Sequence, residues 1–491
     1  MKTYDILAAV DLGSNSFRLE IARVAGEQLF PLDALKETVR LAGGLDAEKN
    51  LDAPTQARAL ACLARFGERL RGLPAEAVRA VGTSTLRIAR NADAFLEQAQ
   101  RALGHRIEVV AGREEARLIY LGVAHGLPAS PHPRLVVDIG GGSTEVIVGK
   151  GVKPLQRESL NMGCVNFSQR FFADGVLDKA TLKAAEIAAR AEAEGVASAF
   201  DASHWHEAIG SSGTARALRD ILEQNGLSAA GITADGLARL KREFIKAGHV
   251  SRLRLAGLRE DRRPVIAGGF AILSGLFAEL RIETMQVAET AMREGILYDL
   301  LGRFHERDMR DVTVESLTRR HEIDTAQAAR VERAVRELSG NTPETLQRLL
   351  GWAARLHEIG LGIAHSGYHR HSAYILGNAD MPGFSRNEQA DLAVLVRTQR
   401  GSLAKARADA AHVARWLAGP EQVWIAILRL AVILHRARRD TGIAVPALDA
   451  TPGRYRLRFP GGWLEAHPLT AKALEAEAAD WAAIGVDYRF E

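Results

Sequence analysis

The chain begins with a short apolar run that is typical of a strand buried on both faces of a sheet. Ile6–Val10 is entirely apolar and is followed by Asp11. Small, turn-forming residues occupy positions 13–16, and Phe17–Ile21 then alternates apolar with polar side chains. Because such alternation is typical of a half-exposed strand, this segment predicts a strand, a tight turn and a second strand.

Two different patterns recur along the chain at nearly the same offset. Leu135–Val148 repeats the strand, turn and strand, and its Asp138 lies 127 positions after Asp11. A strand followed by glycine and small hydroxyl residues at a helix start occurs at Gly82 and again 128 positions later at Gly210. We therefore predict a duplicated α/β domain whose two lobes face each other across a cleft.

The turns of both repeats have the composition of phosphate-binding loops. Glycine and small hydroxyl residues let backbone N–H groups approach an anion, and helix starts add free N–H groups with partial positive charge. Arg18, Arg87 and Arg216 lie in or just after these turns, where a guanidinium group could hold further phosphate oxygens. Any one of these turns could be an ordinary tight turn, but four in a duplicated pattern favour phosphate binding.

Two carboxylates follow the apolar strands beside this predicted phosphate site. Asp11 and Asp138 are hard oxygen ligands of the kind that Mg²⁺ prefers, and the metal would neutralise a transferred phosphoryl group. The alternative is that each aspartate only accepts hydrogen bonds from the N–H groups of its own turn.

A further carboxylate is a candidate general base. The pattern of Arg113–Tyr120 predicts the first turns of a helix. Adjacent residues on a helix diverge by about 100°, so only one of Glu114 and Glu115 can face the cleft. Glu115 shares a face with Leu118 and Ile119 and is the better candidate to activate a water. The alternative is a favourable placement of both glutamates at the positive end of the helix dipole.

Composition excludes several classes of protein. The 491 residues are 47% hydrophobic and 25% charged, which indicates a folded chain of several domains, and the net charge of +4 excludes a polycation. Cys62 and Cys164 form neither a disulfide framework nor a zinc motif, which favours a reducing cytoplasm. We expect no export signal, and the longest apolar stretch, Val423–Leu434, is too short to span a bilayer.

Five motifs together resemble the bacterial exopolyphosphatase and guanosine pentaphosphate phosphohydrolase (Ppx/GppA) family, in that family's order. They are Asp11–Arg18, Gly112–Leu118, Asp138–Glu145, Asn161–Val165 and Ala291–Gly295. The chain looks most like a long bacterial exopolyphosphatase. The resemblance implies α/β lobes of the actin-like, ribonuclease H-like, sugar kinase/actin ATPase superfamily, then an α-helical HD-like domain and a small α+β domain. We predict domains at 1–125, 126–302, 303–390 and 391–491.

The resemblance also implies roles for individual residues. Glu115 matches the catalytic glutamate, Arg87 an arginine that faces the phosphate, Asp138 the metal-site aspartate and Glu145 a carboxylate close to the metal. The residues that match the three phosphate loops are Ser14, Asn15 and Ser16, then Gly141, Gly142, Ser143 and Thr144, then Gly210, Ser212, Gly213 and Thr214. With Arg18 as a further phosphate contact and Asp11 as a further metal ligand, these residues form the predicted site.

Helical patterns dominate from about residue 304, as at 324–338 and 344–356. This part contains a histidine-rich segment at 357–371 and resembles the metal-dependent HD phosphohydrolase core. However, Glu358 stands where that core has an aspartate and Gln327 where its first histidine is expected, so a working second metal site is disfavoured. The histidines, with Arg370 and Arg397, could instead contact a polyanion, or they could only pack and cap helices.

The leading functional hypothesis is an exopolyphosphatase that releases terminal phosphate from inorganic polyphosphate by Mg²⁺-assisted attack of a water that Glu115 activates. The alternatives are 5′-phosphohydrolysis of guanosine pentaphosphate and a non-hydrolytic actin-like nucleotide-binding module. Gly140–Gly142 and His365–Ser372 look more like the polyphosphate branch. The family resemblance implies a homodimer. We expect no specific nucleic acid partner and a cytoplasmic location, with peripheral attachment to the inner membrane as the alternative.

Overall fold

The structure is a computed structural model that describes residues 4–26, 28–128, 130–304, 308–340, 342–439, 445–451 and 453–491. The chain forms two compact units, Met1–Asp308 and Met309–Glu491.

The first sheet of the N-terminal unit has the strand order β3-β2-β1-β4-β5. Its strands are β1 Ile6–Leu12, β2 Ser16–Ala25, β3 Gln28–Thr38, β4 Val78–Gly82 and β5 Ile107–Val109. The helices around it are α1 Ala53–Leu70, α2 Ser84–Ile88, α3 Ala92–Leu103 and α4 Gly112–Gly126. The predicted first hairpin is confirmed, because β1 and β2 pair antiparallel with Asp11 opposite Arg18.

The second sheet has the order β11-β13-β10-β6-β7-β8. Its strands are β6 Arg134–Ile139, β7 Thr144–Lys150, β8 Lys153–Leu160, β10 Glu207–Ser211, β11 Ile232–Thr233 and β13 Thr284–Val287, with a separate pair of β9 Val176–Leu177 and β12 Gly248–His249. The helices are α5 Cys164–Phe171, α6 Lys179–Phe200, α7 Ser212–Gln224, α8 Ala234–Ala247, α9 Ile266–Glu279 and α10 Met292–Phe304.

The two sheets share one core arrangement, which confirms the predicted duplication. In the first lobe β1 pairs antiparallel with β2 and parallel with β4. In the second lobe β6 pairs antiparallel with β7, with Asp138 opposite Glu145, and parallel with β10, with Asp138 beside Ser211. The apolar runs become buried strands because both faces of each sheet are covered: Leu7, Val10, Leu135 and Val136 have no exposed surface.

The C-terminal unit is mainly helical, as predicted. Its helices are α11 Met309–Arg320, α12 Thr325–Ser339, α13 Glu344–Leu356, α14 Tyr368–Asn378, α15 Arg386–Thr398, α16 Leu403–Asp409, α17 Ala411–Ala418, α18 Gln422–Leu434, α19 Trp463–Ala466 and α20 Pro468–Ala482. A small sheet of β14 Ala447–Thr451, β15 Arg454–Arg458 and β16 Asp487–Phe490 lies near the chain end.

One apolar cluster runs through this unit, from Val314 of α11 to Tyr488 of β16. The predicted boundary between residues 390 and 391 falls inside α15, and the predicted subdivision of the unit remains a prediction. Within the described ranges no single helix is long and apolar enough to cross a membrane, and one bent pair, α17 with α18 at 96°, passes that test by length and composition.

Candidate active site

A cavity of about 120 Å³ lies where the turns of the two lobes meet. The predicted site residues that line it are Asp11, Ser14, Asn15, Ser16, Arg18, Glu115, Asp138, Gly141, Ser143, Ser212, Gly213 and Thr214. These residues come from both halves of the duplication, so the fold brings the predicted loops together around one space.

Glu115 lines the cavity from the first turn of α4. Its Oε2 accepts a hydrogen bond from Arg87 Nη1 at 2.6 Å, and each side chain is 10% exposed. Glu114 is directed elsewhere, into two hydrogen bonds from Arg117 at 2.8 Å. The prediction that only one of the two glutamates faces the cleft is thus met by Glu115.

Arg87 is placed differently from what the resemblance implies. Its Nη1 donates to the Val110 carbonyl at 3.1 Å as well as to Glu115, and Arg87 is not among the cavity-lining residues. Burial works against the charge of Arg87, but Glu115 outweighs it and the pKa of the guanidinium is raised. In this structure Arg87 therefore restrains Glu115 instead of contacting the cavity.

The carboxylates around the cavity are poorly solvated. Removal of water by the surrounding protein raises the pKa of Asp11 to about 7, against the opposing effect of Arg18. Burial also raises the pKa of Asp138, although Ser211 Oγ donates a 2.5 Å hydrogen bond to its Oδ2. Burial, with the nearby charge of Glu115, raises the pKa of Glu145. All three groups would gain from a cationic partner.

Glu145 lies behind the cavity instead of in its wall. It is 1% exposed, and its Oε1 accepts a hydrogen bond from Ser159 at 2.8 Å. Its position opposite Asp138 follows from the β6–β7 hairpin, because directly paired residues of an antiparallel ladder lie side by side.

Three predicted loop residues have structural partners and also lie outside the lining. Thr144 is fully buried, and its hydroxyl donates to the Met162 carbonyl at 2.6 Å. The Gly142 carbonyl accepts from Asn166 at 3.1 Å. Gly210 is in β10, where a Cβ would lie 2.9 Å from the Cβ of Ala215, so close packing explains this glycine.

The third loop places a strained residue at the cavity. Ser212 has a φ of 87°, a left-handed conformation that is costly for a residue with a side chain. Its Oγ accepts hydrogen bonds from the backbone N–H groups of Thr214 and Ala215 at 3.2 and 3.3 Å. The two hydrogen bonds of Ser212 Oγ satisfy N–H groups in the first turn of α7, and Ser212, Gly213 and Thr214 of that turn line the cavity.

Four arginines line the cavity together with the carboxylates Asp11, Glu115 and Asp138. Arg18 and Arg216 were singled out from the sequence as phosphate contacts, whereas Arg262 and Arg293 were not. Burial lowers the pKa of both Arg18 and Arg216, and the nearby charge of Arg293 adds to the effect on Arg18. These two cations therefore have too little counter-charge. An anion in the cavity would supply it.

The carboxylates predicted to hold a metal do not form a complete ligand set of their own. Among the described residues no group of three or more His, Cys, Asp or Glu side chains could hold a metal ion on its own. Asp11 and Asp138 both line the cavity and are poorly solvated, however, and Mg²⁺ commonly uses one or two carboxylates with waters and substrate phosphates. The residues fit that mode of binding, but not an all-protein cage of Asp11, Asp138 and Glu145.

In the C-terminal unit, Glu358 and Gln327, the two residues that the sequence comparison with the HD core singled out, each have a hydrogen-bond partner. Arg438 donates hydrogen bonds to Glu358 Oε1 at 2.5 Å and to Asp324 Oδ2 at 3.0 Å, and the Gln327 amide donates to the His435 carbonyl at 2.9 Å. His357 is 1% exposed, and burial lowers its pKa.

At least one histidine of the histidine-rich segment does not carry the positive charge that a polyanion contact would use. Burial, then Arg397 and other nearby arginines, lowers the pKa of His369 to about 4, so this histidine is neutral near pH 7. Arg370 and Arg397 contribute positive charge near His369, and a role of this segment in polyanion binding stays a prediction.

A duplicated actin-like fold with an arginine-walled cavity and a restrained glutamate defines a class of phosphate-processing enzyme. The sequence model of the Ppx/GppA phosphatase family matches residues 20–304, and that of Ppx/GppA phosphatase domain III matches residues 309–478. The chain belongs to the Ppx/GppA phosphatase family and is a phosphoanhydride hydrolase. The predicted family and fold class are confirmed.

Relatives match over nearly the whole chain. The guanosine-5′-triphosphate,3′-diphosphate pyrophosphatase of Pseudoalteromonas translucida (strain TAC 125) is 39% identical, over 98% of this chain and 97% of that relative. The protein of the same name from Pseudoalteromonas atlantica is also 39% identical, over 97% of this chain and 94% of that relative. The Aquifex aeolicus member of the Ppx/GppA family has a similar structure, with a TM-score of 0.51 and 25% identity over 61% of this chain and 98% of that chain.

Proposed function

We propose that the protein hydrolyses the terminal 5′ phosphoanhydride bond of guanosine pentaphosphate. The observation that carries this proposal is the near-full-length likeness to two proteins named guanosine-5′-triphosphate,3′-diphosphate pyrophosphatase. That likeness favours the alternative stated from the sequence over the leading exopolyphosphatase hypothesis.

The cavity wall supports binding of a terminal phosphoryl group. Arg18, Arg216, Arg262 and Arg293 face the space together with the small residues of the three loops. Guanidinium groups bind phosphate oxygens in pairs, and donors fixed in advance stabilise the charge of a phosphoryl transition state without reorganisation.

Glu115 is the residue that we assign to the attacking water. Arg87 holds its Oε2, which leaves Oε1 to accept a hydrogen bond from a water in the cavity. The water oxygen bonds to the terminal phosphorus while the bond from that phosphorus to the bridging oxygen breaks, and the bridging oxygen leaves with the electron pair. The water proton passes to Glu115, and the products are inorganic phosphate and guanosine 5′-diphosphate 3′-diphosphate.

Mg²⁺ remains a proposal on the donor set described above. When bound, it supplies Lewis-acid neutralisation of the phosphate oxygens. Asp11 and Asp138 are the side chains that would hold it with substrate oxygens. Ser211 contributes by orienting Asp138 through its hydrogen bond to Oδ2.

Inorganic polyphosphate is the second candidate substrate, and the composition of the cavity lining is the observation that favours keeping it. The lining contains four arginines together with glycines and small hydroxyl residues, all of which suit phosphate oxygens. The terminal phosphates are chemically alike in both substrates.

A comparison of substrates in one preparation of the full chain tests the proposal. Phosphate release would be measured with guanosine pentaphosphate, GTP, tripolyphosphate and long-chain polyphosphate under the same Mg²⁺ concentration. We expect the highest kcat/KM for guanosine pentaphosphate. A higher kcat/KM for long-chain polyphosphate would overturn the proposal in favour of the second candidate, and no release from any of them would overturn both.

A further inference from the structure

Two helices that each carry a cavity residue cross in direct backbone contact. Glu115 is in the first turn of α4, and Arg293 is in the first turn of α10. At the crossing, a Cβ on Gly122 would lie 1.8 Å from the Ala291 carbonyl oxygen, and a Cβ on Gly295 would lie 1.8 Å from the Leu118 carbonyl oxygen. Because neither position can take a side chain without displacement, the glycines set how closely the helices approach.

A buried ion network joins the same two helices beyond the crossing. Asp299 of α10 accepts hydrogen bonds from Arg117 of α4 through Oδ1 and from Arg79 of β4 through Oδ2, the latter at 2.6 Å. Arg117 in turn holds both oxygens of Glu114, the residue next to Glu115. The side chains of Arg79, Asp299, Arg117 and Glu114 are between 1% and 5% exposed.

Asp299 links the two arginines of this network. Each arginine has a second carboxylate partner, Glu108 for Arg79 at 3.1 Å and Glu114 for Arg117 at 2.8 Å. Loss of the Asp299 charge would therefore leave each buried guanidinium with one carboxylate and would break the link between α10, β4 and α4. The first turn of α4 is the segment directly attached to the network through Glu114.

Arg293 lies on the same helix as Asp299, in the first turn of α10. Its guanidinium forms ion pairs with Glu20 of β2 at 2.8 Å and with Glu294 at 3.4 Å, and it lines the cavity. Helix α10 therefore carries Arg293 itself and is joined, through Asp299 and Arg117, to the turn of α4 that carries Glu115.

We propose that Asp299 is a positioning residue for hydrolysis, which holds the first turn of α4 so that Glu115 keeps its place relative to Arg293. The proposal rests on the proposed role of Glu115. Asp299 does not line the cavity, so it acts through Arg117 and Glu114. Small displacements of a catalytic group are costly, since a shift of about 1 Å can reduce the rate by about 10²-fold.

Steady-state kinetics of Asp299→Asn in the full chain tests the proposal. We expect kcat to fall by about 10- to 100-fold while KM changes by no more than about threefold, because the phosphate-binding loops are untouched. Assays would be run well below the melting temperature of each variant. If Asp299→Asn does not fold, Arg117→Lys keeps the charge but loses the two-pronged contact, and it should lower kcat in the same direction.

A double-mutant cycle and a matched control separate positioning from general stability. Glu114→Gln and Asp299→Asn should be non-additive in kcat, because both interrupt one chain of contacts. The control is Glu186→Gln, which removes the charge that pairs with Lys241 between helices α6 and α8. It lies outside the cavity lining and should leave kcat unchanged.

The outcomes distinguish this proposal from the proposed function. If Glu115→Gln abolishes hydrolysis but Asp299→Asn only lowers the melting temperature, with kcat unchanged, Asp299 is structural and the positioning proposal fails. An equal loss of kcat in Glu186→Gln would also overturn it. If Glu115→Gln is fully active, the proposed role of Glu115 is wrong, and the positioning proposal, which rests on that role, is wrong with it.

Discussion

Arg87 and Glu115 form a 2.6 Å ion pair across two helices, α2 and α4, at the edge of the cavity. Arg87 also donates to the Val110 carbonyl, just before α4 begins. One oxygen of Glu115 is thus restrained by a permanent cation that is itself anchored to the backbone. A glutamate side chain with several rotatable bonds is thereby reduced to a narrow range of positions facing the cavity.

Replacing Glu115 by glutamine should abolish most of the activity. The amide keeps the size of the side chain but does not accept a proton, and loss of general-base catalysis costs about 10²- to 10⁴-fold in kcat. Phosphate release from guanosine pentaphosphate would be measured under saturating substrate. Glu158→Gln, which changes an exposed partner of Arg113, is the control and should retain wild-type kcat. An undiminished kcat in Glu115→Gln would contradict the assigned role.

Replacing Arg87 should reduce activity through Glu115. Arg87→Gln removes the restraint on Oε2, so we expect a smaller loss of kcat than for Glu115→Gln, about tenfold or more. The double variant should be no worse than Glu115→Gln alone, since both changes affect one group. If Arg87 instead contacts the phosphate directly, the two losses will multiply, and that result would support the role implied by the family resemblance.

The repeated strands could be predicted because their signal is local. An uninterrupted apolar run such as Ile6–Val10 is typical of a strand in a sheet that is covered on both faces, and Leu7–Val10 are buried. The Gly and Ser residues that follow are turn-forming types in any context. A shared offset then identified the duplication. Glu115 could be chosen over Glu114 because the 3.6-residue period of a helix separates neighbouring side chains.

The partners of these residues could not be predicted, because they depend on how distant segments meet. Arg262 follows an arginine-rich connection that resembles a solvated surface, and Arg293 reaches the cavity only because α10 returns to cross α4. The contact of Arg87 with Glu115 likewise requires α2 and the start of α4 to be neighbours. A motif identifies residue types that suit phosphate, but not which of them a neighbouring carboxylate already occupies.

The pKa of Asp11 predicts how folding stability depends on pH. Burial raises this pKa from 3.8 to about 7, so the folded state binds a proton that the unfolded chain has already released. Its contribution to stability is therefore fully present below about pH 4 and is lost as the pH rises through about 7. In metal-free buffer, this loss should lower the melting temperature mainly between about pH 4 and 7 and should level off above about pH 7.

The variant Asp11→Asn isolates this effect. It stays uncharged at every pH, so between about pH 4 and 7 its stability should lack the loss that Asp11 causes in the wild type. Asp235→Asn, an exposed change in the first turn of α8, should follow the wild-type curve. Parallel curves for wild type and Asp11→Asn would show that Asp11 does not titrate in this range.

The proposed role of Asp138 in holding Mg²⁺ predicts that hydrolysis requires this metal and that Ser211, which donates a hydrogen bond to Asp138, affects how tightly the metal binds. Chelation with EDTA should abolish hydrolysis, and Mg²⁺ should restore it. Ser211→Ala leaves Asp138 in place but removes the bond that orients it, so the Mg²⁺ concentration for half-maximal activity should rise by about 10- to 100-fold. Ser203→Ala, at an exposed loop position, should not change it. Activity that persists in EDTA would contradict the proposed metal.

The contact between α4 and α10 predicts a large difference between two glycine-to-alanine changes. A Cβ on Gly295 would lie 1.8 Å from the Leu118 carbonyl oxygen, which forces the helices apart, and overpacking of this kind costs about 1–3 kcal/mol. Gly195 lies in α6, and a Cβ at this position would contact nothing in the described part of the chain beyond its own helix. Alanine there should therefore stabilise the protein by about 0.5–1 kcal/mol through helix propensity. Urea unfolding of both variants measures these changes. Because separation of the helices also moves the turn that carries Glu115, Gly295→Ala should lower kcat, whereas Gly195→Ala should not. Equal stabilities for the two variants would show that the crossing can relax without cost.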